Sequence, residues 1–304
     1  METTVIYQQI LILFCVAAVG VFLRRRGVMT ESGNQSLSKL VLYVTLPAMI
    51  LASVGSVPAG LGAGDLLLIL AAAAASYLVM GIIALVVPRL LPGKKENRGV
   101  LEFLILFANV GFMGFPVLSA VYGAEVVFTA AIFNLPMNIL CFTVGVLMIA
   151  PKGTKLQAKA ILSPAIVASV AAPLLYLAPF SLPELFYDGC SLLGDATVPL
   201  AMLLIGSSLG GIPLRKLWNE PKLYAVAFSR LLICPAAVWF VLRCFISDPM
   251  LLGTALILAA MPSATNATLL CIEYGGDEAT ASRTVCLTTL FSAVTIPLIL
   301  LFLP

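Results

Sequence analysis

The sequence predicts an all-α integral membrane protein of ten transmembrane helices, arranged as two inverted five-helix repeats whose fourth and ninth helices are broken. Three observations predict it. Of 304 residues, 61% are hydrophobic and only 10% charged, whereas ordinary soluble domains carry about 25% charged residues. Ten apolar segments can be drawn, each close to the roughly 20 residues that a bilayer core requires. Two of these segments are interrupted near their middles, by Ala108-Asn109-Val110-Gly111-Phe112-Met113-Gly114-Phe115-Pro116 and by Met261-Pro262-Ser263-Ala264-Thr265-Asn266.

The segments run over about 5–23, 37–54, 65–88, 99–121, 124–149, 159–179, 189–210, 221–245, 250–273 and 279–303. No Lys or Arg precedes the first, and Arg24-Arg25-Arg26 follows it. That charge order belongs to an uncleaved span with its N-terminus outside, not to a signal peptide. Continuing from there puts fifteen of the seventeen Lys and Arg residues on the cytoplasmic side, with only Arg243 opposite and Arg230 well inside a span. An error of one span would scatter them. A multi-pass protein of the plasma membrane with both termini extracytoplasmic is therefore expected. The bases are loop anchors, which excludes nucleic acid as a partner and leaves the lipid bilayer.

The second and seventh segments share a pattern. Thr45-x-Pro47 and Thr197-x-Pro199 align at an offset of 152 residues, which maps segments 1–5 onto 6–10. Five is odd, so residues 1–150 and 151–304 enter the membrane from opposite sides as an inverted repeat. The same offset brings the interruption around Pro116 close to that around Pro262. Proline removes an N–H and clashes with the preceding turn, and glycine is a poor helix former, so each stretch should unwind. Unpaired backbone at that depth survives only where protein buries it or it lines a cavity.

The half-helix after each break begins near mid-membrane with free N–H groups, a partial positive charge that suits an anion. Asn109, Gly111 and Gly114 from one break and Ser263, Thr265 and Asn266 from the other are the candidate binding residues. Asn134 and Asn138, four apart around Pro136 in the fifth segment, share a helix face; they either line the same site or hydrogen-bond between helices. No metal site is expected, because the chain has no histidine and its seven cysteines are scattered singly, without a C-x-x-C pair. An enzyme would need an acid–base or metal constellation that is absent.

At these residues the chain resembles the auxin efflux carrier family, which includes the plant PIN auxin exporters and bacterial malonate or malate carriers. The resemblance is carried by Asn109-Val-Gly-Phe-Met-Gly-Phe-Pro116 with Tyr122-Gly123, by Ala259-Ala-Met-Pro262 through Asn266 to Glu273-Tyr274, and by Thr197-Val-Pro-Leu-Ala-Met with Gly206. It covers essentially the whole chain, without the long central loop of the large plant members. It implies crossover prolines at Pro116 and Pro262 and a substrate-facing Asn109, with Asn266 as its counterpart. It also implies a transport bundle of spans 3–5 and 8–10 that moves against a scaffold of spans 1, 2, 6 and 7, which can form a homodimer.

Three ionisable groups inside the spans are candidates for coupling. Glu102 either serves this role or pairs with Arg98 one turn away. Asp195 either binds a proton or cation or caps a helix. Arg230 either attracts an anionic substrate, snorkels, or pairs with a carboxylate such as Glu273. The expected function is secondary transport of a small organic anion by alternating access, with no cofactor and with H+ or Na+ as candidate coupling ions. The alternatives are a sodium-coupled symporter of the bile acid type and a non-transporting sensor of the same fold.

Overall fold

The computed structural model describes residues 3–57, 60–92, 98–150, 163–178, 182–211 and 220–301. The boundary between the two sequence halves, and Lys94, Lys95, Lys152, Lys155, Lys159, Arg215 and Lys216 of the charge argument, lie outside them. The regular secondary structure of the described residues is helical apart from one isolated β-bridge. The helices are α1 (Thr3–Arg25), α2 (Glu31–Ser56), α3 (Ala63–Leu90), α4 (Arg98–Leu106), α5 (Val110–Tyr122), α6 (Glu125–Ile149), α7 (Pro164–Leu177), α8 (Glu184–Gly210), α9 (Pro221–Leu242), α10 (Pro249–Ala260), α11 (Asn266–Tyr274) and α12 (Glu278–Leu300). Six of them, α2, α3, α6, α8, α9 and α12, are long and apolar enough to cross a membrane.

Their ends follow local chemistry. Thr30 accepts from the Gly33 N–H, Asp248 from Met250 and Leu251, and Asp277 from Thr280, each relieving donors that the first helical turn leaves unpaired. Pro164, Pro221 and Pro249 occupy first turns, where a missing N–H costs nothing. Four π-helical turns punctuate the long helices, at Val41–Thr45, Val110–Gly114, Cys141–Gly145 and Ser229–Ile233. Such turns occur mostly as single bulges and often at functional sites. The π turn of α2 and the Asp195-Ala196 turn that divides α8 fall at repeat-equivalent positions under the 152-residue offset.

The chain packs as two units. The first comprises residues 1–71, 111–135 and 159–211. Within it α1 lies against the second half of α8, where Gly20 faces the Leu203 carbonyl and Gly206 the Ala17 carbonyl so closely that a Cβ would collide with backbone. Lipid offers apolar groups the same surroundings as protein does, so helices in a bilayer associate through such close backbone contact rather than through hydrophobic burial. Asn34 and Ser207 exchange two buried hydrogen bonds of 2.8 and 3.0 Å between α2 and α8. The second unit comprises residues 72–110, 136–158 and 212–304. Its centre is where α4 and α10 end.

Candidate functional site

The second unit brings the two interruptions together. Helix α4 stops at Leu106 and α10 at Ala260, and the stretches that follow pair as a short antiparallel bridge, Ala108 opposite Ser263. The Asn109 N–H donates to the Pro262 carbonyl at 2.8 Å, and the Ala264 N–H donates to the Phe107 carbonyl at 3.0 Å. Backbone freed from two helices thus satisfies itself between the paired stretches, as buried polar groups must in an apolar medium. Pro262 lies in the paired stretch itself. The first interruption opens at Phe107, well before Pro116, which sits in the first turn of the resumed helix Phe115–Tyr122.

Helix C-termini leave carbonyls without partners and carry partial negative charge. Here one side chain serves both. Arg230, in the π turn of α9 and fully buried, donates from Nε to the Met261 carbonyl at 2.9 Å and from Nη1 to the Ile105 carbonyl at 3.0 Å. Its Nη2 reaches the Leu258 carbonyl at 3.4 Å, and Nη1 also meets the Met80 thioether at 3.3 Å. The guanidinium therefore closes the ends of α4 and α10 together. It does not pair with Glu273, which is exposed on α11; backbone carbonyls, not a carboxylate, compensate its charge.

Ser263 is also fully buried, and both its polar groups are engaged. Its hydroxyl donates to the Leu104 carbonyl at 2.7 Å, and its N–H donates to Thr288 Oγ1 at 3.2 Å. Thr288 in turn donates to the Thr284 carbonyl at 2.8 Å. The α11 end is different. Thr265 precedes its first turn without a side-chain cap, and Asn266, part-buried, donates from Nδ2 to Cys141 Sγ at 3.4 Å while its buried Oδ1 has no partner among the described residues. Cys141 is three residues beyond part-buried Asn138 on the same face of α6.

The remaining candidates fall as follows. Asn109 is 4% exposed and leads directly into the π turn Val110–Gly114. In the first unit, Gly111 is half-buried beside Leu42 and Leu46, at ordinary contact distance for an added Cβ, and Gly114 caps Phe115–Tyr122 with helical geometry. Asn134, in the same unit, is buried with an Oδ1 that no described group meets. Asp195 is exposed at the turn dividing α8, its N–H bonded to the Ser191 carbonyl at 2.8 Å. Glu102 pairs with Arg89 at 3.3 Å rather than with Arg98 one turn away. All three line an open cleft of ≈ 520 Å³ with Leu85 and Val144.

Sequence reasoning did not find Cys141 or the Thr284–Thr288 ladder. Their signal was present: Asn138 and Cys141 at i, i+3, and Thr284, Thr288 and Ser292 at successive i+4 steps, all three wholly buried inside an apolar helix. A polar stripe at that spacing marks a face turned to protein, not lipid.

A polytopic helical protein centred on two interrupted, paired helices belongs to the class of membrane carriers rather than enzymes. The comparisons narrow this class. The family model described as "Membrane transport protein" matches residues 5–160 and 153–300, so the chain belongs to this family, the one that includes the auxin efflux carriers. It is 25% identical to an "Uncharacterized transporter" of Methanothermobacter thermautotrophicus over 96% of both chains. It is also 25% identical to one of Methanocaldococcus jannaschii over 95% of this chain and 96% of that one. A protein of Rhizobium meliloti named "Putative malonate transporter" is 25% identical over 86% of this chain and 84% of its own.

Proposed function

We propose that the protein is a secondary transporter of a small organic anion, a mono- or dicarboxylate, which binds at the crossing in the second unit. One observation carries this reading. The negative ends of α4 and α10 are neutralised by Arg230, while at the positive end of α11 the N-cap residue Thr265 makes no side-chain cap among the described residues. The crossing is left with an excess of positive potential in a medium of low dielectric.

Asn266 is the natural first contact for the anion. Turning its amide over, which exchanges O and N at almost no cost in shape, lets the Cys141 thiol donate to Oδ1 and turns Nδ2 toward a carboxylate. Asn109 and Asn138 complete the polar lining in this reading, with Thr265 as a further contact, whereas Ser263 holds the frame.

In this proposal ten spans cross the plasma membrane with both termini outside, in accord with the one-sided distribution of Lys and Arg. Spans 3–5 and 8–10 move as a bundle against spans 1, 2, 6 and 7, and two copies pair through the latter. The carboxylate class agrees with the name of the Rhizobium meliloti relative. The test is flux in proteoliposomes with a panel of radiolabelled mono- and dicarboxylates, wild type beside Asn266→Ala and Asn109→Ala. At least one acid should be carried by the wild type, and each variant should raise its KM. Binding without any flux would make the protein a sensor instead.

A further inference from the structure

Arg230 is an expensive residue to place at the middle of a helix buried in a membrane protein. Intramembrane cations are rare, and the cost of one is met only by close compensation. The described ion pairs do not include it. Its partners include three main-chain carbonyls, of Ile105, Leu258 and Met261, gathered from two helix ends, with the Met80 sulfur and the Cys234 side chain beside them. Converging carbonyl oxygens at helix breaks are the same ligands that hold a desolvated monovalent cation in a membrane protein. The guanidinium meets carbonyls of that kind.

We propose that Arg230 is a tethered counter-cation: it occupies a carbonyl-built cation site at the crossing, and its permanent charge is what makes the anion affinity of this carrier independent of added sodium. The proposal rests on the anion-carrier reading and concerns the coupling at that same site. Its physical logic is that arginine stays charged at every relevant pH and its planar fork matches several carbonyls at once. A site filled by a covalently attached ion needs no ion from solution. A sodium ion seeking those carbonyls would have to displace the side chain that takes them. Arg230 acts through the field and geometry of the crossing, so it is a positioning residue.

The experiment separates charge from capping. Arg230→Lys keeps the charge but loses the fork; Arg230→Gln keeps hydrogen-bond donors but loses the charge. A purely structural cap predicts similar damage from both. The proposal predicts that Arg230→Lys keeps KM for the transported acid within a few-fold of wild type, while Arg230→Gln raises it on the order of tenfold or more. Wild-type flux should be unchanged when choline replaces sodium at constant ionic strength. In detergent, millimolar guanidinium chloride should raise the melting temperature of Arg230→Ala, relative to choline chloride, and leave wild type unmoved.

Sodium-dependent wild-type flux, equal KM effects of the Lys and Gln variants, or no guanidinium response in a folded Arg230→Ala protein each overturns the proposal. If the substituted proteins fail to fold, the sodium replacement alone decides. If the wild type carries no acid in any medium, the anion-carrier reading fails, and the guanidinium response still reports on the cation site by itself.

Discussion

Side chains at the crossing divide by where their polar atoms go. Ser263 spends its hydroxyl on Leu104 and its N–H on Thr288, with no surface left to a ligand. Ser263→Ala should therefore act on stability. Leaving the Leu104 carbonyl unmet costs about 1–3 kcal/mol, visible as a lower melting temperature with KM little changed. Asn266 has one amide atom on Cys141 and one unengaged among the described residues. Asn266→Asp, almost the same shape, should fold normally and yet weaken carboxylate binding through like-charge repulsion; a thermal-shift titration with the best-carried acid reads the difference. Both residues lie in one Pro-Ser-Ala-Thr-Asn run, and both were expected to bind. Residue type and spacing located the run but could not divide it, because the division depends on Leu104 and Thr288, 159 and 25 residues away.

At the level of the helix, glycine and charge set two further tests. Gly206 leaves no room for a side chain against the Ala17 carbonyl, so Gly206→Val must push α1 off α8. Overpacking of a tight interface costs about 1–3 kcal/mol or more, and the expected readout is poor insertion or a markedly lower melting temperature. Between the starts of α9 and α12, Glu220 bonds Arg283 and lies 2.9 Å from Lys222. The Lys222 ammonium foremost, with Arg283 beside it, holds the Glu220 carboxyl below its usual range. A depressed carboxyl contributes stability above its ordinary value, near about 4.3, and loses it as pH falls through the lower, folded value. The melting temperature should drop as the pH is taken below about 4, and Glu220→Gln should flatten that drop.

The helix breaks themselves were legible, since Pro262, Asn109 and the glycines contradict an apolar span. Where the two stretches pair was not. Pro116 attracts attention in the sequence, but a proline in a first turn disturbs nothing, and the chain had already left the helix at Phe107. Arg230 was visible as an anomaly whose partners were invisible, because main-chain carbonyls freed by a break leave no trace in residue types.

For the molecule as a whole, the proposed topology makes a prediction of sidedness. In a cysteine-free background, a single cysteine at Lys222 should react with a membrane-impermeant maleimide only from the cytoplasmic side, and one at Glu184 only from outside. Labelling of both from the same side would dismiss the inverted arrangement. The amphipathic logic that guides soluble proteins is of little use here; the information lies in where Lys and Arg are tolerated and in the 152-residue echo of Thr-x-Pro.

The link between the two broken helices is made from amide to carbonyl, Asn109 to Pro262 and Ala264 to Phe107. Peptide groups are common to every residue but proline's missing donor. A joint of this kind imposes little on the side chains around it, so in the proposed carrier substitutions at Asn138, Cys141 or Asn266 would be free to retune which acid is accepted while the frame keeps its shape. Lineages built on it should diverge in cargo far sooner than in architecture.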